Sequence, residues 1–334
     1  MLTLLSDNAI KIASIATGRK KHGLFWYPHK ETDKQIQVLN YNEFDTEEFR
    51  NRFTLSRKQS TEIMSHLTNQ TEPEGPLQQK YFQIKKFIDD SLYQELDFRK
   101  DPTTHLVIDL PPEPTTFAGH ESVIGSTASG KTFYVYQKCI RNITGPKKSR
   151  RQWIWISSEY NVDKTIKQFR TKLAYQKYVY GIDVSERSFE ESEHDTREEF
   201  FQQEIKHAVD VAEPGTMIVC DDFRDAACAQ QMRLWINTAL RVSRHELKSF
   251  IIIFHSIRAG SWSAQSHNSV KYVTLFPRSQ KGKIVQYLNQ DHAIPLKRAR
   301  ETVDDFASQR KGRHMTVHIH SPNFFAGADL IRLF

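Results

Sequence analysis

The pattern of apolar and polar positions changes character near residue 105. Beyond that point, strand-length apolar runs alternate with longer stretches whose apolar residues recur every third or fourth position. "SVIG" (122–125), "QWIWIS" (152–157), "TMIVCDD" (216–222), "SFIIIFHS" (249–256) and "KYVTLF" (271–276) are the predicted strands. Most are apolar throughout rather than alternating, as strands covered on both faces are. "KTFYVYQKCIRN" (131–142) and "DAACAQQMRLWINTAL" (225–240) have helical spacing. The first should stop near Gly145-Pro146, where a fixed φ and a missing donor end a helix. A polar, acidic stretch over roughly 162–212 is predicted helical, and late strands are predicted at "KIVQYL" and "MTVHIH". This strand–helix rhythm predicts an α/β fold, a mostly parallel sheet flanked by helices.

Before residue 105 the pattern is different. "KIASIA", "GLFWYP" and "KQIQVLNY" read as short strands between polar turns, followed by two helices. The second, near 77–97, sets Leu77, Tyr81, Ile84, Phe87, Ile88, Leu92, Tyr93 and Leu96 on one stripe. The expectation is an accessory α+β region over 1–104. A second domain over 105–334 would be entered through "HLVIDL" and the stiff "PPEP".

Composition narrows the function classes. No apolar run reaches membrane-spanning length; the greasiest, "FIIIF" at 250–254, is strand-sized. The opening "MLTLLSDNAIKIAS" lacks the basic-then-apolar pattern of an export signal. Cys139, Cys220 and Cys228 have no metal or redox spacing and are expected as small core residues in a reducing compartment. Charge is unevenly placed. Residues 256–334 hold 12 Lys/Arg against 5 Asp/Glu and so carry the whole net charge of +7. A polyanion partner and a solubilising surface both fit that distribution.

Residues 125–132, "GSTASGKT", satisfy the pattern G-x-x-x-x-G-K-S/T between a predicted strand and a predicted helix. Gly125, Ser126, Thr127, Ala128, Ser129 and Gly130 would curl the backbone so that successive N–H groups face phosphate. The helix start adds its positive end. Lys131 is expected to reach the β- and γ-phosphates, and Thr132 to offer a hydroxyl to Mg²⁺; ATP and Mg²⁺ are the implied ligands. The apolar run "MIVCDD" ends in the second half of such a site. Asp221 would hold the magnesium beside Thr132, and Asp222, one step further out, would polarise the attacking water. About 90 residues separate loop and acidic pair, and "QWIWIS" falls between them. That interposed strand belongs to the additional-strand ATPases, which act as rings, rather than to the kinase and GTPase layout.

The order "GSTASGKT", "IVCDDF", Arg244-His245, "SFIIIFHS", Asn268 and "YVTLFPRS" resembles the genome-packaging ATPases of nucleo-cytoplasmic large DNA viruses and their polinton-like and virophage relatives, within the FtsK–HerA superfamily. The resemblance covers about 120–334. It implies a RecA/FtsK-like P-loop NTPase fold and an ATP-driven pump that moves double-stranded DNA into a capsid. It also implies a pentameric or hexameric ring, contact with capsid vertex proteins but not with membrane, and a place at viral assembly sites in the host cytoplasm or with the virion. The family usually ends the strand corresponding to "SFIIIF" with glutamine; here His255 stands there. Two readings are open for it, a γ-phosphate sensor or a strand-end cap. Arg244 is the arginine that the resemblance would supply to a neighbouring subunit's site, with Arg241 and Arg258 in reserve; the alternative is a helix-end cation. Within "IRAGSWSAQSHNS" (257–269), Arg258 and Trp262 are candidate DNA contacts, as are Arg278, Lys281 and Lys283, with Lys297, Arg298 and Arg300 nearby. "GPKKSRR" at 145–151 receives no role. Other pumps or helicases of the same superfamily, a nucleoside or nucleotide kinase, and a non-hydrolysing scaffold are the competing functions.

Overall fold

The computed structural model describes residues 2–3, 10–17, 20–26, 45–69, 71–96, 104–108, 110–111, 113–257, 269–308, 314–319, 324–327 and 331–333. The chain divides into two compact units, Met1–Asp109 with Asp329–Ile331, and Leu110–Ala328 with Arg332–Phe334.

In the first unit, strands β1 (Leu2–Thr3), β2 (Ile10–Thr17), β3 (Lys20–Trp26) and β4 (Thr104–Ile108) form an antiparallel sheet in the order β1-β3-β2-β4. "HLVI" therefore pairs with the first strands of the chain rather than opening the second unit. The expected strand "KQIQVLNY" lies outside the described residues. The helices Glu47–Arg52, Arg57–Asn69 and Gln78–Leu96 bury Phe49, Ile63, Met64, Leu67, Tyr81, Ile84 and Ile88 in one cluster. Of the predicted stripe, Tyr81, Ile84 and Ile88 are its buried centre, and Leu77 and Phe87 pack at its margin.

The second unit is built on a nine-stranded sheet. Its strands are β5 (Glu121–Ile124), β6 (Trp153–Ser157), β7 (Val179–Asp183), β8 (Met217–Asp221), β9 (Ser249–Phe254), β10 (Tyr272–Leu275), β11 (Met315–His318), β12 (Phe324–Gly327) and β13 (Ile331–Leu333). The order is β13-β12-β11-β10-β5-β9-β8-β6-β7. From β10 to β7 all pairings are parallel, and β11 and β12 join antiparallel. Strands β5, β6, β8 and β9 are buried at every position, which explains their unbroken apolar runs. One face of the sheet sets Val123, Trp153, Trp155, Met217, Val219, Ile251 and Ile253 against Tyr134, Val135, Cys139 and Ile143 of the helix Lys131–Thr144. On the other, Trp235 of the helix Ala229–Val242 meets Phe250 edge-on at 5.5 Å. The loop strand β5 is separated from the aspartate strand β8 by β9. In sequence two strands, β6 and β7, intervene between loop and aspartates, but neither lies between them in the sheet.

Two readings of the pattern are corrected. "KIVQYL" lies in the helix Lys281–His292, where Ile284, Val285, Tyr287 and Leu288 form a buried helical face. The stretch 162–212 is broken into short helices around strand β7, and Phe201–Lys206 is a π-helical turn. All three cysteines are buried free thiols. Among the described residues, no helix is long and apolar enough to cross a membrane.

Candidate nucleotide site

Strand register brings the candidate residues together. Ile124 pairs with Phe254 on one side and Leu275 on the other; Ser157 pairs with Asp221, and Cys220 with Ile252. These strands end level with one another, so the segments that follow them share the carboxyl edge of the sheet, where open α/β sheets bind ligands.

The glycine loop leaves β5 with Gly125 N donating to Phe254 O at 3.0 Å. A Cβ on Gly125 would lie 2.5 Å from Ser129 Oγ and 2.9 Å from Phe276 Cβ, so this position has no room for a side chain. The turn then passes through left-handed φ at Ala128 (59°) and Gly130 (101°) before the helix Lys131–Thr144 begins. Glycine makes the second inversion without strain.

Lys131 is 5% exposed, and its Nζ donates to Ser126 O at 2.9 Å. Burial pushes the ammonium pKa down, against the opposing pull of Asp221 and Asp222. Thr132 Oγ1 donates to Asp221 Oδ2 at 2.9 Å, joining the two halves of the site. Asp221 is 2% exposed; burial, then the charge of Asp222, push its carboxyl up to about 7. Its other oxygen, Oδ1, is buried with no hydrogen-bond partner. A carboxylate in that position needs a cation or a proton. One carboxylate beside one hydroxyl is a donor set suited to Mg²⁺, which takes few protein ligands and keeps its remaining positions for water and phosphate. Thr132 and Asp221 therefore fit the metal role expected of them.

Asp222 sits at φ 46°, ψ 27°, a left-handed conformation that turns the chain sharply at the end of β8. Ser158 Oγ donates to its carbonyl at 2.7 Å. Its Oδ1 accepts from His255 Nε2 at 2.6 Å. That hydrogen bond outweighs burial and, with the charges of His255 and Lys131, holds the Asp222 carboxyl below the usual carboxylate range. The Nδ1 of His255 faces the glycine loop, 3.4 Å from Thr127 Oγ1 and 3.5 Å from Lys131 Nζ. Gln280 Nε2 fixes the His255 backbone by donating to its carbonyl at 2.7 Å.

Two positions escaped the sequence reading. Glu159 follows Ser157–Ser158 at the same sheet edge, and burial together with Asp222, Asp163 and Asp225 pushes its carboxyl up. Its signal was present, an acid just beyond an apolar strand, but with no partner in sequence. Arg151, in the basic turn given no role, is 1% exposed. Its guanidinium donates to the carbonyls of Pro111, Glu113, Pro114, Thr116 and Gly215 at 2.5–3.1 Å, clamping the "PPEP" segment.

The remaining candidates are not gathered here. Arg244 is exposed in the turn before β9, so the six-residue strand puts it about 20 Å from the carboxyl edge. Its Nε lies 3.4 Å from His245 Nε2. Arg241 is exposed one turn earlier, at the end of the helix Ala229–Val242. Arg258, Trp262 and Asn268 lie outside the described residues. Arg278 is exposed in the turn Pro277–Ser279, and Lys281 and Lys283 in the first turn of Lys281–His292, with Lys281 paired to Asp304 at 2.9 Å. Lys297, Arg298 and Arg300 are exposed on the next helix, Leu296–Ala307.

A glycine loop on a central parallel strand, with the acidic pair one strand away across β9, defines an α/β P-loop NTPase fold of the additional-strand type. No family model matches the chain, and no curated protein matches it. Solved structures overlap it loosely. The genome-packaging NTPase B204 of Sulfolobus turreted icosahedral virus 2, in complex with AMP, shares 13% identity over 67% of this chain and 100% of its own, at a TM-score of 0.41. The pCW3 conjugation coupling protein TcpA shares 14% over 64% of this chain and 60% of its own, at 0.36. The cytoplasmic domain of the type VII secretion ATPase EccC of Thermomonospora curvata shares 12% over 64% and 25%, at 0.39.

Proposed function

We propose that the chain is a magnesium-dependent ATPase that drives double-stranded DNA into a viral capsid as a ring of identical subunits. One observation carries the ATPase reading. Lys131, the Thr132–Asp221 pair and the Asp222–His255 pair meet at one sheet edge, supplied by the ends of three adjacent strands. ATP would draw Lys131 Nζ from Ser126 O onto its β- and γ-phosphates, while the first N–H groups of the helix Lys131–Thr144 face the same anion. Thr132 and Asp221 would hold magnesium, which supplies charge neutralisation across the phosphates. The ring, the DNA and the capsid follow from the motif order and from the excess positive charge of residues 256–334. Arg244, too far from its own site, is proposed to complete a neighbour's. Such a machine works at viral assembly sites in the host cytoplasm or on the virion.

The test measures ATP hydrolysis with and without linear duplex DNA, together with the mass of the assembly. Turnover stimulated by duplex, no unwinding of a forked substrate, and a mass of five or six chains are expected. Unwinding would make it a helicase; phosphate passed to a nucleoside would make it a kinase; no turnover with DNA and a ring present would leave a scaffold.

A further inference from the structure

The contact between Asp222 and His255 assigns water activation differently from what the paired aspartates suggest. In P-loop hydrolases the attacking water is oriented by a residue near the γ-phosphate. Asp222 stands at the expected place in sequence. Its Oδ1, however, is occupied by His255 Nε2 at 2.6 Å, and its side chain is one methylene shorter than a glutamate's. The imidazole reaches further. With Nε2 bonded to a carboxylate, that nitrogen carries the hydrogen, and Nδ1 is left as the acceptor in the neutral ring. Nδ1 is also the atom directed at the glycine loop, within 3.5 Å of both Thr127 Oγ1 and Lys131 Nζ. Lys131 is the side chain expected to reach the β- and γ-phosphates. Three restraints keep the ring in place: the carboxylate on Nε2, Gln280 on its carbonyl, and the left-handed backbone of Asp222 at the end of β8.

Resting on the ATPase reading, we propose that His255 is the catalytic base for hydrolysis and Asp222 its positioning residue, a dyad replacing a single acidic side chain. Water oxygen bonds to the γ-phosphorus as the bond from that phosphorus to the β–γ bridging oxygen breaks. The bond's electron pair leaves with ADP, and the water proton goes to His255 Nδ1. The imidazolium is stabilised by the Asp222 carboxylate and returns its proton to the phosphate product or to solvent. The arrangement is that of a base oriented by a hydrogen-bonded third group. It accounts for a histidine where the resembling ATPases carry glutamine, a side chain that can donate to phosphate but cannot take a proton.

The experiment uses the full chain with linear duplex DNA, following ATP turnover and, separately, the affinity for a fluorescent ATP analogue. His255→Gln and His255→Gly should lose about 10²–10⁴-fold in kcat with affinity unchanged. Free imidazole should restore part of the His255→Gly turnover. Asp222→Asn, whose carbonyl can still accept from Nε2–H, should keep more activity than Asp222→Ala. The dyad is overturned if His255→Gln turns over near the wild-type rate while Asp222→Asn is as inactive as Asp222→Ala, which would make Asp222 the base. It is equally overturned if His255→Gly binds the analogue yet imidazole restores nothing. An unaltered chain that binds the analogue but never hydrolyses ATP removes the ATPase reading, and the dyad with it.

Discussion

Single residues show what chemistry makes legible in a sequence and what it conceals. The glycine loop and the aspartate pair stood out because phosphate and magnesium demand particular residue types at fixed spacing. His255 stood out only by its position after "SFIIIF". Arg151 was concealed. In "GPKKSRR" it is one cation among four, and nothing local distinguishes the three exposed or half-buried ones from the buried fourth. Its five carbonyl partners, at 111–116 and 215, are brought to it by tertiary structure alone. Burial pushes its pKa down to about 10, so the charge survives at neutral pH and the carbonyls carry the compensation. Arg151→Met keeps much of the apolar stem but strands those carbonyls without donors. A loss of about 3 kcal/mol in urea unfolding is expected, with ATP affinity little changed in the molecules that remain folded. A variant as stable as the parent would show that water replaces the guanidinium at no cost.

Elements were legible where one environment holds along their whole length. Strands β6, β8 and β9, buried on both faces, match their predicted runs to within a residue or two. Strand β7 was missed because it is the sheet's outer strand, with Ile182 its only buried residue, and an edge strand of that kind has no apolar alternation to detect. The helix Lys281–His292 was misread because Ile284 and Val285 are β-branched neighbours, although with Tyr287 and Leu288 they fit a 3.6-residue period better than a two-residue one. Behind the glycine loop, elements are joined by a polar contact that no pattern announces. Glu121 of β5 accepts from Lys138 at 2.5 Å, from Tyr134 at 2.9 Å and from Thr274 of β10 at 2.6 Å. Burial alone would raise its carboxyl pKa; the Lys138 charge and the three hydrogen bonds outweigh it and bring the pKa below the usual value. Glu121→Gln removes the charge and leaves Lys138 buried without a counter-ion. That variant should be destabilised by about 3–5 kcal/mol, and adding Lys138→Met should recover much of the loss. Additive effects of the two substitutions in a double-mutant cycle would deny the coupling.

Two predictions belong to the whole molecule, one to its stability and one to its proposed assembly. His120 lies 3% exposed at the start of β5, accepting from Phe250 N at 3.0 Å through Nδ1, and burial pushes its pKa from 6.5 to about 4. Between those values the unfolded chain binds the proton and the folded chain does not. The stability linked to this ring is therefore full above pH 6.5 and is lost as pH falls toward 4, a change of about 3 kcal/mol. Urea unfolding across that window should show a shallower decline in His120→Gln, whose amide oxygen can still accept from Phe250 N; an unchanged slope would mean that other groups set the acid limit. The proposed assembly turns on the two edges of the sheet. The candidate nucleotide residues occupy the carboxyl edge, and Arg244 lies in the turn at the amino edge of β9. No movement of one side chain spans that distance, so Arg244 can serve a phosphate only if another copy presents its amino edge to this site. Arg244→Ala should then abolish turnover while ATP affinity stays within about twofold, since a charge acting on the transition state adds little to ground-state binding. Lys131→Ala should be inactive for the opposite reason, its own site being unable to hold the phosphates. Mixed together, the two inactive variants can form pairs in which an intact glycine loop meets an intact arginine, and part of the activity should return in proportion to such pairs. Recovery requires that the two residues act in different chains. A mixture as inactive as its components, in assemblies shown by mass to contain both, would return Arg244 to the role of a helix-end cation.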